Sequence, residues 1–567
     1  MPNYFTDTPN LEAILDRLDL SDVVRALEKG YTEHLEHDLA PAGYHEAMEG
    51  YRAALELVGD LAGNVIAPLS ASIDADGAAL VDGEVRYAAG SLEAYGRLAE
   101  AGMAGAIIPR RFGGLNFPAT VYVMMIEMVS RADASLMTMF GYQDVGHAIA
   151  HFGPEHVAER MLPAYCRGET IGAMVLTEPG GGSDIANTRL RAFRDDFGQW
   201  RLRGTKQFIS NGNGGVLLVL ARSEDVEGMF GLSLFASDGT GVKVARLEEK
   251  MGLHGSPTCE LVFDDAPVEL VGRRRMGMVH TMHTLNHARL SVAAQALGIA
   301  DGAYRAAAAY AHDRVAFGRP IRQIPAVAWM LVDMATTIEA CRAMVYEACR
   351  LLDLRNTVEV EIERVKRSGG DTSELKRCFQ ETSPLVDLLS PAVKYVVTEA
   401  SQDICLVAQQ VFGGMGYIRE TGVEQRVRDV RITTIYEGTS QVQAGSALPG
   451  VMADVLAPLM EGPVDVPDGM EDLADHIKEL TAVCGDMREG AAMMGASARE
   501  AAARDLVDGY IGLWAAHLLF EQATTDERKR RIAERWTASV LANARAGCER
   551  IRLGFHRHVE HLDEIVD

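Results

Sequence analysis

The sequence predicts an α+β fold: an N-terminal helical domain, a middle antiparallel β domain, a C-terminal helical bundle and an extra helical extension. Three observations carry this. Through the first third of the chain apolar residues recur at helical spacing, as from Tyr44 to Ala67 and from Ser91 to Ala101. Between 174 and about 275 the period drops to two. There Trp200 and Leu202 alternate with arginines, and Phe230, Leu232 and Leu234 alternate with small residues. Val216 to Leu220 is one apolar run, and glycine-rich turns such as 211–215 separate the strands. From about 276 helical spacing resumes and continues to the end. The expected domains are therefore 1–173, 174–275, 276–450 with a charged insert at about 352–384, and 451–567. A chain of 567 residues exceeds what one core accommodates, so several domains are expected.

Composition narrows the function classes. At 48% hydrophobic and 24% charged the chain is globular, without a disordered bias. Its net charge of −25, from 55 basic and 80 acidic residues, repels a polyanion, so no nucleic-acid partner is expected. The eight cysteines are scattered without a C-x-x-C pair, which argues against a metal or disulfide framework and suits reduced thiols in a cytoplasm. The N-terminus lacks the basic start and apolar core of a signal peptide, and no apolar run of about 18 residues predicts a membrane span.

In the first domain, Pro109 to Leu115 reads as a glycine-bearing loop. A methionine-rich helix from about Ala119 to Val129 follows, its Met124, Met125 and Met128 reading as core packing. The apolar segment beginning at Met174 then enters a Pro/Gly-rich turn, 177–184, ending in Ser183 and Asp184. Such a turn presents backbone N–H groups and hydroxyls with little bulk in the way, which suits a flat, phosphate-bearing cofactor, although a plain β-turn has the same composition. Neither G-x-G-x-x-G nor G-x-x-x-x-G-K-[ST] occurs in it.

A second glycine-rich stretch is Gln410-Val-Phe-Gly-Gly-Met-Gly416. The third stretch, Arg431 to Gln443, contains one carboxylate, Glu437, between Tyr436 and Gly438, with Thr439 and Ser440 following. Glycine beside an acid lets backbone approach a ligand closely. A carboxylate walled by apolar side chains loses hydration and becomes a better proton acceptor near neutrality.

Taken in order, these three stretches resemble the acyl-CoA dehydrogenase family of flavoproteins, over roughly residues 40 to 450. The resemblance implies an enzyme with bound FAD that converts an acyl-CoA to its trans-2-enoyl-CoA. Glu437 is the implied base at Cα, the flavin takes hydride from Cβ, and the Glu437 N–H with a flavin hydroxyl donates to the thioester oxygen. Met174, Leu176, Thr177, Gly182 and Ser183 are implied cofactor contacts, Ser183 also touching substrate. Phe208 and Ser210 would face the flavin; many relatives have Trp where Phe208 stands. Asn286 and Arg289, read as opening a helix, would lie near substrate, as would Gly438. Some members carry the base immediately before that arginine, but Ala288 cannot accept a proton, which leaves Glu437.

Arg314 and Phe317 resemble the loop that reaches a neighbouring subunit's flavin, with Arg314 on the pyrophosphate. A helix C-terminus with a basic residue followed by glycine fits the same residues. Pro325 falls where smaller members often have a glutamine on the cofactor. Gln410, Gly414, Thr439 and Gln441 complete the implied cofactor contacts. The region Met137 to Tyr142 would limit acyl length.

The mid-chain insert 359–373 reads as a helix extension and solvated loop. Beyond Pro449 lie a linker, 462–469, and helices expected over 470–482, 489–502, 505–523 and 526–555. The basic run Arg528-Lys-Arg-Arg-Ile532 reads as a solvated helix face because acids are interleaved. Insert and extension together are similar to the large bacterial members, including those acting on methylthiopropionyl-CoA. Family habit implies an electron-transferring flavoprotein as partner and a homo-oligomer. A dimer is favoured, because the extension would cover the surface by which smaller members form tetramers. Two rivals stand: an acyl-CoA oxidase using O2, which shares the motifs, and a flavin-containing DNA-associated protein built on this fold, which the net charge disfavours.

Overall fold

The computed structural model describes residues 1–461 and 466–566, so part of the expected linker, 462–465, lies outside the described residues. Two compact units emerge, Met1–Gly302 with Ile418–Thr433, and Ala303–Tyr417 with Thr434–Asp567.

The first unit holds the N-terminal helices and the sheet. Helices Tyr44–Leu61, Ala89–Glu100 and Ala119–Ala132 follow the apolar spacing, and Met124, Met125 and Met128 are buried as core. One feature departs from the all-helical expectation. A small hairpin, β1 (Ala79–Val81) with β2 (Glu84–Arg86), interrupts the helices around Asp82-Gly83, both with positive φ. Among the described residues one stretch, Tyr44–Asp76, is long and apolar enough by length and composition to cross a membrane, with a mean hydropathy of 1.2 over its most apolar 18-residue window. Glu56 and Asp60 interrupt it, so it is not an unbroken apolar run. Tyr51, Leu55, Val58, Ile66 and Ile73 are buried along it, as on the inner face of a core helix.

The sheet comprises β3 (Ile171–Val175), β4 (Arg191–Arg194), β5 (Trp200–Ser210), β6 (Gly215–Arg222), β7 (Leu232–Ser237), β8 (Val242–Leu247) and β9 (Thr258–Val271). Its order is β3-β6-β4-β5-β9-β7; β8 pairs with β9, and β7 pairs back onto β6. The sheet is mixed, not purely antiparallel as expected, because β3 and β4 both run parallel to β6. Alternation reveals which face a strand buries, but not the direction of its partner. Phe230 also falls outside the strands, exposed in a short 3-10 turn ahead of β7. Inside lie Leu202, Leu217, Val219, Phe235, Leu261 and Phe263, each such side chain stabilising the fold by about 1.5–3 kcal/mol.

The second unit is helical. Pro325–Arg367 and Ser373–Phe412 form a long pair joined by the turn 368–372, with Ser440–Met452 packed on the second. The extension adds Glu471–Ala492, Ala496–Ala501, Ala503–Ala523 and Glu527–Arg552. The helix expected over 489–502 is split at 493–495, since Glu489 to Ala492 end the preceding helix. The basic run is not wholly solvated either: Lys529 is buried and ion-paired with Glu339.

Candidate functional site

The candidate residues fall into two sets, one in each unit. In the first unit, β3 leads through buried Met174 and Leu176 into the turn 177–184, where Gly182 and Ser183 are exposed. What shapes this turn is Glu178. Its carboxylate accepts the N–H groups of Arg189 (2.7 Å) and Leu190 (2.9 Å) and pairs with Lys206 Nζ at 2.9 Å. Lys206 also donates to the Leu176 carbonyl at 2.6 Å, and the Gln207 N–H donates to the Thr177 carbonyl at 3.0 Å. These bonds lay the 206–208 stretch beside the start of the turn. Lys206 is buried, which pushes its ammonium down to about 8 while Glu178 opposes the fall. Sequence reading assigned this pair no role. Its signal was a lysine on the inward parity of β5, where a charge needs a partner.

Immediately after Lys206 the pairing of β5 with β9 slips, between Lys206 and Ile209. The bulge places Phe208 at φ 60 and leaves its ring 56% exposed, while Ile209 returns to the core. Ser210 follows, half-buried. Thus Thr177, Ser183, Phe208 and Ser210 all belong to one neighbourhood built on β3, its turn and β5.

Asn286 and Arg289 are in the same unit, both buried, with Arg289 Nη1 donating to Asn286 Oδ1 at 3.3 Å. They do not open a helix as expected but lie well inside Gly277–Asp313, which starts nine residues before Asn286. Around them is a histidine cluster that sequence reading missed. His147 and His151 face His283 and His287, with ring centroids 5.3 to 6.2 Å apart. Burial and the neighbouring imidazoles push His147 down to about 3, so its ring is neutral at physiological pH. The i, i+4 spacing of both histidine pairs was the available signal.

In the second unit Glu437 occupies a turn between a 3-10 segment, Arg431–Thr434, and the helix Ser440–Met452. Glu437 and Gly438 have φ of 53° and 94°. A non-glycine residue held there costs on the order of 1–3 kcal/mol and persists only when its surroundings fix it. They do. The Gln443 amide donates to the Glu437 carbonyl at 2.6 Å, buried Lys394 donates to the Gly438 carbonyl at 2.8 Å, and Thr439 caps the helix by accepting the Val442 N–H. The Ser440 hydroxyl is 2.5 Å from Glu399 Oε1 and 3.2 Å from the Thr434 carbonyl. A Cβ on Gly438 would sit 2.3 Å from Gln443 Nε2 and displace the amide that holds the Glu437 carbonyl, and the φ of 94° is itself strained for any residue with a side chain. The Glu437 side chain is half-buried, and Gln441 is exposed one residue into the helix.

Gln410 is exposed near the end of Ser373–Phe412, where Gly413 turns the chain with φ 60. A Cβ on Gly414 would meet nothing within 4 Å, so the chain's own packing does not demand glycine there. Arg314 to Pro320 is a hairpin, β10 (Val315–Ala316) with β11 (Arg319–Pro320). Its two-residue loop is Phe317-Gly318, both at positive φ, and Phe317 is 92% exposed. Twelve non-glycine residues among those described have positive φ, and they include Phe208, Phe317 and Glu437.

Three domain descriptions match the chain in order. They are acyl-CoA dehydrogenase N-terminal domain over 49–169, middle domain over 173–266, and C-terminal domain over 275–375 and 379–449. An acyl-CoA dehydrogenase of Bacillus subtilis is 34% identical over 355 residues, 61% of this chain and 86% of its own. A 3-methylmercaptopropionyl-CoA dehydrogenase of Ruegeria pomeroyi is 33% identical over 432 residues, 71% of this chain and 70% of its own. An acyl-CoA dehydrogenase structure from Bacillus anthracis, complexed with FAD, aligns at TM-score 0.75 and 22% identity over 91% of each chain. At that identity the likeness is of fold, and its span is larger than residues 1–449 alone, so it reaches into the extension.

Proposed function

The chain belongs to the acyl-CoA dehydrogenase family, and on that footing we propose that it oxidises an acyl-CoA to the trans-2-enoyl-CoA with Glu437 as base. It is an oxidoreductase of the acyl-CoA dehydrogenase type and uses FAD. The residues suit that cofactor. Phe208 offers a flat ring, more than half exposed, beside a turn in which Gly180 and Gly182 are exposed and carry no side chain to obstruct a ligand. Gly414 lacks a side chain where the chain's own packing would admit one. Thr177, Ser183 and Ser210 would serve polar edges of the cofactor, and exposed Arg314 its pyrophosphate on a neighbouring copy. When bound, FAD supplies the hydride acceptor for Cβ.

The observation that carries the assignment of the base is the clamped turn. Two carbonyls in succession, of Glu437 and Gly438, are held by side chains from helices, so the carboxylate is presented from a fixed backbone. Glu437 would take the Cα proton, its backbone N–H would donate to the thioester oxygen as charge develops there, and the fixed turn supplies orientation. Arg289 and Asn286 are proposed on the substrate side. Electrons would pass to an electron-transferring flavoprotein, and the working species would be a homodimer, a reading supported by Phe317 standing exposed at a hairpin tip. Eight free cysteines support a cytoplasmic location.

The test is Glu437→Gln, followed by rapid-mixing absorbance of the flavin after addition of butanoyl-, octanoyl- or palmitoyl-CoA. We expect FAD content and thioester binding to be retained and flavin reduction to fall by roughly 10²–10⁴-fold. Reduction at the wild-type rate would place the base elsewhere.

A further inference from the structure

We infer that the C-terminal extension takes part in catalysis: Arg504, on the helix Ala503–Ala523, is a positioning residue that acts on the Glu437 turn through Glu399 and Ser440, a role that rests on Glu437 being the base. Ser440 begins the helix that leaves the turn, and Thr434 is the last residue before it. The single proton of the Ser440 hydroxyl goes to Glu399 Oε1, the shorter contact, with the Thr434 carbonyl 3.2 Å away at the other end of the turn, so Ser440 ties the helix that leaves the turn to the helix Ser373–Phe412. The other Glu399 oxygen lies 3.3 Å from Arg504 Nη2. Arg504 is itself fixed. Its Nε donates to the hydroxyl of buried Tyr395 at 2.9 Å, and its guanidinium sits 5.3 Å from that ring. Glu399 is partly open to water, so without the guanidinium its carboxylate is free to rotate into solvent and leave Ser440.

Arg504 lies outside the residues matched by the family's domains, which end at 449. The tie is therefore something the extension adds to the centre. Ion pairs as exposed as this one contribute little to stability. Reacting groups, by contrast, tolerate little displacement, and misplacing one by about 1 Å costs up to roughly 100-fold in rate. The effect should thus appear in the rate and not in folding.

The experiment is a double-mutant cycle on the full-length FAD-loaded enzyme, reading flavin reduction per bound flavin with the fastest thioester of the panel. Arg504→Leu and Ser440→Ala should each slow reduction by about 10-fold, with thioester affinity unchanged. The double variant should also be slowed by about 10-fold, not 100-fold, because both changes cut one chain of contacts. Arg504→Lys, which keeps a charge within reach of Glu399, should recover part of the rate. Wild-type reduction by Arg504→Leu, or effects that multiply in the double variant, would overturn the role. Should Arg504→Leu fail to fold, Glu399→Gln replaces it in the cycle under the same criteria. Glu437→Gln run alongside separates the two readings. If Glu437→Gln loses flavin reduction while Arg504→Leu matches wild type, only the positioning role falls; if Glu437→Gln reduces at the wild-type rate, both fall.

Discussion

A carboxyl group buried to the last 1% of its surface is costly to ionise, and Asp429 is one. It accepts the Leu253 N–H at 2.7 Å and lies 3.3 Å from the Gln425 amide. Burial pushes it up to about 7 from 3.8, with Asp133 and Asp74 adding to the rise. The folded state thus keeps a proton that the unfolded chain releases near pH 4. Its contribution to stability is complete below pH 3.8 and is lost as pH rises through 7. At about 1.4 kcal/mol for each pH unit between those values, the ceiling is roughly 4 kcal/mol. Asp429→Asn keeps the acceptor for Leu253 and never ionises. Urea unfolding at pH 5 and pH 8 should show the variant more stable than wild type at pH 8, with a shallower pH dependence between the two. Parallel curves would mean that Asp429 does not titrate in this range.

At the scale of elements, the helix Glu527–Arg552 is joined to Pro325–Arg367 by a buried ion pair, Lys529 with Glu339, and Arg528 adds a second contact at 2.8 Å. Burial pushes Glu339 up, but Lys529, Arg342 and Arg528 outweigh it and hold the carboxyl below the usual range. Lys529→Met leaves that carboxylate buried without its closest cation, at a cost of about 3 kcal/mol. Pairing it with Glu339→Leu should recover most of the loss, since apolar replacement of a buried pair is often neutral. Thermal unfolding of the single and double variants checks this, and a double variant no more stable than the single would refute it. The same run shows where sequence reading stopped. Interleaved acids made 528–532 look solvated, and the partner that buries Lys529 is 190 residues away. Local periods of two and 3.6 made the strands and helices legible, and the motif around Glu437 stood out by its residue types. Lys394, Glu399 and Gln443, which hold that motif, look like ordinary polar positions on helices until the helices are packed. Phe208 was legible as an aromatic, but its exposure depends on a slip in register against β9, which no local pattern encodes.

For the molecule as a whole, the extension is packed on the helices it follows. Ala503–Ala523 lies against Ser440–Met452, Ser373–Phe412 and Pro325–Arg367, and also against the extension's own helices Glu471–Ala492 and Glu527–Arg552; among these helices its Tyr510, Ile511, Leu513, Trp514, Leu519 and Phe520 are buried. An aromatic side chain buries roughly 150–250 Å², so a core holding three of them, once opened, exceeds the few hundred Å² of contiguous apolar surface that a soluble protein ordinarily exposes. The Tyr510 hydroxyl also donates to Asp454 and accepts the Leu456 N–H, each at 2.8 Å, which ties the start of the extension to its central helix. Ending the chain at residue 453 would uncover the matching faces of the three receiving helices at once. Because those faces are apolar and belong to rigid helices, they should find each other on neighbouring copies. The full-length protein is expected to sediment as a dimer, and the 1–453 form as a larger, concentration-dependent species. Should the shortened chain sediment as the same species as the full-length protein, the extension would not be what limits assembly, and the surface it covers would have to be self-sufficient in water.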